Sequence, residues 1–300
     1  MNQNNINEIC ARVFGVGSCK YYELIKRECN WNEFGGVNVN IVVRERLCLS
    51  DGSYSHANKQ FVSNLLLVFT LYDGWLEDKY SLVEGASFKA HYDGLPYSTN
   101  EERIQKDCYR ILKILRNTIQ HNLSALVLDK DNNVSLSYLH RNTDFKLSIS
   151  NKGMELLFGL VRYIISGANK EHLTRGHYLA TIAMVYKAMI REITNISDEF
   201  GTCIVVSISN DIVCFDCDMR YIFGQCAYEH VGDSVIKLRH DDEYANCNNK
   251  LFGKNKMDYT VEYQNKSYVL PEEIGKITKD EYGTFISFET SKLTNTWEKI

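Results

Sequence analysis

Three residues near the middle of the chain have types and spacing that can do chemistry. They are Arg116, Asn117 and His121, in the run Arg116-Asn117-Thr118-Ile119-Gln120-His121-Asn122. On a helix, Asn117 and His121 are four apart and share a face, while Arg116 lies about 140° round from His121. A helix end of this kind presents a guanidinium, an amide and an imidazole around one cleft. Arginine clamps a phosphate bidentately, histidine moves a proton near neutral pH, and asparagine donates to an oxygen or orients the imidazole. The set suits metal-independent cleavage of RNA. His121 would take the 2′-hydroxyl proton or protonate the leaving oxygen, and Arg116 would stabilise charge on the phosphorane. No carboxylate cluster surrounds the motif, so neither a metal nor another cofactor is expected.

The element that positions these groups is the clearest in the chain. Thr99 and Glu102 have the spacing of a capping box. Behind them Ile104, Cys108, Ile111, Leu115 and Ile119 fall three or four apart, one apolar stripe running to Asn122. An apolar segment over 57–76 predicts a second helix, ending near Asp73-Gly74. After the motif come three short strand-like pieces, 125–128, 134–138 and 145–148, with 129–133 as a hairpin turn. A helix over 154–165 follows, and Leu179, Ile182, Tyr186, Met189 and Ile193 mark another. Four helices with apolar stripes predict a bundle interrupted by a small β-hairpin insertion.

The motif and its setting resemble the HEPN superfamily: an arginine, a polar residue, three further residues and a histidine near the end of an amphipathic bundle helix. Many members of that superfamily are metal-independent endoribonucleases of toxin and antiviral defence systems. The resemblance covers roughly 57–195 and implies catalytic roles for Arg116, Asn117 and His121. It also implies a homodimer that brings two motifs into one cleft, RNA as substrate, and an antitoxin or activating partner. The insertion after the motif helix is not part of the minimal bundle. The alternative function is a non-catalytic HEPN-like module that binds RNA, a nucleotide or a partner protein.

The flanking regions read differently. Residues 6–29 read as helical, a Gly35-Gly36 break follows, and Val37, Val39, Ile41 and Val43 mark a strand. Beyond Thr194, β-branched and aromatic runs at 202–208, 212–215, 235–238, 259–263, 267–270 and 284–288 predict a β-rich module. The expectation is an α+β protein in three segments: 1–56, a helical domain over 57–195, and a β-rich module over 196–300. Residues 196–300 carry 11 basic and 18 acidic groups, against 23 and 20 in the rest. Contact with RNA is therefore expected of the first two-thirds.

Ten cysteines are scattered through the chain and read as reduced, buried thiols. Cys214, Cys217, Cys226 and His230 have a zinc-like order but lack a glycine-bearing ligand turn. His172, Arg175 and His177 read as a polar helix start that can send one group to the cleft, and Asp241-Asp242-Glu243 as a solvated acidic loop. The longest strongly apolar run, Leu65 to Phe69, is far too short to span a membrane, and the asparagine-rich start has no signal core. A cytoplasmic protein without membrane contact is expected.

Overall fold

In a computed structural model of the chain, the Thr99 hydroxyl accepts from the Glu102 amide at 3.2 Å, and Glu102 accepts from the Thr99 amide at 2.8 Å. This is the reciprocal cap that the sequence predicts. The structure describes residues 22–31, 37–44, 61–165, 174–202, 208, 212–215, 219–240 and 255–300. They are of mixed α+β class and divide into two compact units that interleave along the chain. Among the described residues, the first unit takes 61–165, 182–202, 208 and 212, and the second takes the remainder. The sequence predicts consecutive segments instead. The difference arises at 22–44 and 174–181, which belong with the tail, and at 196–202, which belongs with the helices.

The first unit is built on α1 (Phe61–Tyr80), α2 (Phe88–Gly94), α3 (Asn100–His121), α4 (Asn151–Ile165) and the later turns of α5 (Arg175–Ile190). Leu65, Val68, Phe69, Tyr72 and Leu76 recur three or four apart and are buried, which is why α1 has an apolar stripe. It does not stop at Gly74 as predicted, because Trp75 and Leu76 still lie on the buried stripe. An interior glycine costs only about 1 kcal/mol. α3 lies against α1 and α4. Polar ties fix it further: the Tyr72 hydroxyl donates to the Gln105 carbonyl at 3.0 Å, and the Tyr186 hydroxyl donates to Asp107.

The expected hairpin insertion is larger than its sequence pattern. β3 (Leu126–Leu128), β4 (Val134–His140), β5 (Thr143–Ile149) and β6 (Ile193–Ser197) form one antiparallel sheet in that order. Val134, Leu136, Phe145, Leu147 and Ile149 supply its buried face. β6 completes the sheet from beyond α5, where the sequence pattern marks Ile193 as helical. Between β4 and β5, Arg141 (φ 49°) and Asn142 (φ 64°) form a two-residue turn of the I′ kind.

The second unit holds two sheets. One is ordered β1 (Tyr22–Trp31), β2 (Val37–Arg44), β7 (Met219–Phe223), β10 (Asn255–Tyr263), β11 (Lys266–Pro271). The other is ordered β12 (Lys276–Asp280), β13 (Gly283–Glu289), β9 (Val235–Arg239), β8 (Tyr228–Val231). Tyr221, Phe223, Leu238, Met257, Ile286, Phe288 and Trp297 share one buried core. The strand over 22–31 corrects the predicted helix over 6–29; residues 6–21 lie outside the described residues. A register shift between Ile25 and Cys29 breaks the two-residue alternation, so the sequence lacks a continuous strand signature there. Of the other predicted strands, 212–215 is irregular, and most of 202–208 lies outside the described residues.

Candidate functional site

One face of α3 is a ladder of cationic and polar side chains. Lys106, Arg110, Lys113, Asn117 and His121 recur three or four apart, within about 60° of one line along the helix. Lys106 donates to the Leu95 carbonyl at 2.8 Å and lies over the rings of Tyr92 and Tyr97. Arg110, 5% exposed, forks the Asp198 carboxylate, with Nη2 at 2.6 Å from Oδ1 and 2.9 Å from the Gly201 carbonyl. That buried pair fixes the loop after β6, so Glu199 pairs with Lys113 and the Phe200 ring lies 4.4 Å from the Lys113 ammonium.

Arg116, unlike Arg110 and Lys113, has no carboxylate in ion-pair contact among the described residues. Its guanidinium lies 4.2 Å from the centre of the Phe88 ring, and Nη1 donates to Asn117 Oδ1 at 3.0 Å. Burial lowers its pKa, opposed by the Asp73 carboxylate and Tyr109, and an arginine stays charged at neutral pH regardless. A guanidinium that is partly desolvated, stacked on a ring and left without an anion is ready to take one. Asn117 spends its carbonyl oxygen on Arg116 and so orients the arginine. His121 ends the helix and is exposed, while Ile114, Leu115 and Ile119 point into the core.

These residues open onto a cleft of about 410 Å³. α3 contributes Lys113, Arg116, Asn117 and His121, so the three residues singled out in the sequence line one cavity. The start of α2 adds Phe88 and Lys89. The β4–β5 hairpin forms a further part of the wall with Tyr138, His140, Arg141 and Phe145. Sequence reasoning missed His140 and Arg141. A signal was present: Tyr138 and His140 alternate on one strand face, and Arg141-Asn142 is the turn beyond it. Four cations line the cleft against one carboxylate, Glu199, which Lys113 already holds.

Among the described residues, Asp73, Glu77 and His91 alone cluster with the proximity of metal ligands. His91 Nε2 donates to the Val83 carbonyl at 2.9 Å, and Nδ1 lies 2.9 Å from Asp73 Oδ1, which also accepts from the Tyr109 hydroxyl at 2.7 Å. Burial lowers the His91 pKa, but the Val83 carbonyl and the Asp73 carboxylate outweigh it and raise the pKa overall. Nε2 carries its proton toward the Val83 carbonyl, and the Asp73 carboxylate beside Nδ1 favours a second proton there.

The other candidate groups lie elsewhere. His177 is buried in the second unit, where Nδ1 meets the Thr174 hydroxyl at 2.7 Å and Nε2 lies 3.3 Å from Asp258 without hydrogen-bond geometry. It does not line the cleft. His172, Cys217 and residues 241–243 lie outside the described residues. Cys214, Cys226 and His230 form no metal-type cluster, and burial pushes the Cys226 thiol up to about 12, with the Thr260 contact opposing. No helix among the described residues is long and apolar enough to cross a membrane. Comparison with protein-family models, with curated proteins and with solved structures finds no match for this chain.

Proposed function

We propose that the first unit is a HEPN-type bundle formed by α1, α3, α4 and α5, and that the protein is a metal-independent endoribonuclease of a toxin-like or antiviral-defence kind, acting in the cytoplasm. The observation that supports this most is the charge state of the cleft. Arg116 and Arg141 line a cavity whose one carboxylate is already paired with Lys113, and Lys89 beside them is held by Asp93 at 2.6 Å. A polyanion would therefore meet two arginines without a carboxylate partner among the described residues. His121 stands at the same cavity with the exposure a proton-transfer group needs. A homodimer, and an antitoxin or activating partner, belong to the same reading.

The test is cleavage of a mixed-sequence RNA by the full chain in EDTA, with Arg116→Ala and His121→Ala alongside. Cleavage by the parent chain and its loss in both variants, at unchanged melting temperature, is the expected result. RNA retention without cleavage would replace this reading with the non-catalytic binding module. Strict dependence on magnesium, or equal cleavage of DNA, would discard the mechanism.

A further inference from the structure

The β4–β5 hairpin supplies what the motif on α3 lacks, a second imidazole in the same chain. Tyr138 and His140 are two apart on β4 and therefore share a face, and both line the cleft with Arg116 and His121. Phe145, which pairs with Tyr138 across the hairpin, stacks on that ring with centroids 5.1 Å apart and planes 5° apart. The His140 ring meets Phe145 edge-on at 6.5 Å, so the imidazole rests on an aromatic base. Burial raises the pKa of the Tyr138 hydroxyl, opposed by a hydrogen bond with Thr118. Thr118 lies three residues before His121, so that contact ties the hairpin to the stretch of α3 that carries the motif.

The turn adds a cation to the wall of the cleft. A turn of the I′ kind needs positive φ at both central residues, and asparagine or glycine accepts this readily. Asn142 fits that rule, but Arg141 holds φ 49° at a position where glycine would be relaxed. The Arg141 side chain lines the cleft and makes no ion pair among the described residues.

We propose that His140 is the second proton-transfer group of the cleft, so that His121 and His140 of one chain act as acid and base on the RNA phosphodiester, with Arg141 a second phosphate clamp beside Arg116. This rests on the ribonuclease reading above. In the step, one imidazole takes the proton of the 2′-hydroxyl as that oxygen bonds to phosphorus. The bond from phosphorus to the 5′-oxygen breaks, and the other imidazolium protonates the departing oxygen. The products are a 2′,3′-cyclic phosphate and a 5′-hydroxyl, with no electron transferred and no external reagent consumed. The acid and base need not come from two copies, whatever the oligomeric state.

The experiment compares the full parent chain, Arg116→Ala, His121→Ala and His140→Ala, with His140→Gln as a milder replacement. Each is assayed in EDTA on RNA and on the same RNA with sulfur in place of the bridging 5′-oxygen. A thiolate leaves without protonation, so this substrate rescues loss of the acid and not loss of the base. The expected result is a roughly 10²- to 10⁴-fold loss in both His140 variants on ordinary RNA, with one limb missing from the pH profile. The sulfur substrate then restores either the His121 or the His140 variant, not both. Mixing His121→Ala with His140→Ala restores nothing, because each chain lacks one member of its own pair.

Parent-like cleavage by both His140 variants overturns the proposal and leaves the ribonuclease reading standing. So does rescue of neither variant by sulfur, or recovery of about a quarter of parent activity on mixing, the share expected if the pair were split across a two-fold dimer. No cleavage by the parent chain, or full cleavage by Arg116→Ala and His121→Ala, overturns the ribonuclease reading and this proposal with it.

Discussion

The molecule sets an arginine on an aromatic ring in each of its two units, and the two settings differ in burial and in what neutralises the charge. Arg220 in the second unit is 1% exposed. It lies 3.8 Å over Phe215, forks Asp258 through Nε and Nη2, and meets Glu273 at 2.7 Å through Nη1. Burial lowers the Arg220 pKa, but Asp258 and Glu273 more than reverse it; burial raises that of Asp258, and Arg220 more than reverses that. Arg116 lies on Phe88 in a similar way, yet only an amide oxygen meets it. The residue types are alike, and neutralisation separates them. The buried knot has spent its charge on itself, whereas Arg116 and Arg141 at the cleft have no carboxylate partner among the described residues.

The sharpest way to break this comparison is to remove one member from each side. His121→Ala should lower RNA cleavage by roughly 10²- to 10⁴-fold, while the denaturant midpoint stays put because the side chain is exposed. Asp258→Ala should do the reverse. It leaves Arg220 buried beside Glu273 alone, and stripping one partner from a buried pair costs about 3–5 kcal/mol. Chemical denaturation of the two variants reads both effects. A stable Asp258 variant, or a His121 variant that unfolds early, would erase the distinction.

Arg141→Gly tests the same contrast on a smaller scale. It relieves a left-handed backbone held by a non-glycine residue, worth about 1 kcal/mol at the low end of such strain. The same change removes one cation from the cleft. Stability should rise while RNA affinity falls, and the slope of affinity against salt should shrink by about one unit. A variant gaining stability with an unchanged salt slope would show that Arg141 meets no phosphate.

Local patterns explain what could be read beforehand. The capped helix, its apolar stripe and the Arg116–Asn117–His121 spacing are contained in 24 consecutive residues, from Thr99 to Asn122, and periodicity reports such features well. β6 and the loop after it were not legible, because Asp198 and Glu199 gain meaning only opposite Arg110 and Lys113, about ninety residues earlier. β1 was hidden by the break in its alternation, and His140 by a strand two residues longer than its apolar pattern. Asp258 and Arg220 sit on neighbouring parallel strands that no local pattern connects.

The smallest effect concerns the proton held at Asp73 and His91, beside the arginine's own surroundings. The His91 pKa in the folded chain is raised above its ordinary value of about 6.5. The folded state therefore holds this proton more tightly than the unfolded chain does. Its contribution to stability is fully present below about pH 6.5 and is lost as pH rises through the folded pKa. Asp73→Asn keeps an oxygen to accept from Tyr109 but removes the charge that favours the imidazolium. The fall in denaturant midpoint between about pH 6 and about pH 8 should then flatten or reverse, because burial still disfavours a charged His91. The same substitution takes away the carboxylate that offsets the desolvation of Arg116, so that guanidinium gains more from an added phosphate. An Asp73→Asn variant with an unaltered pH dependence would place the proton elsewhere, and the buried cluster would then be no more than a hydrogen-bonded corner of the bundle.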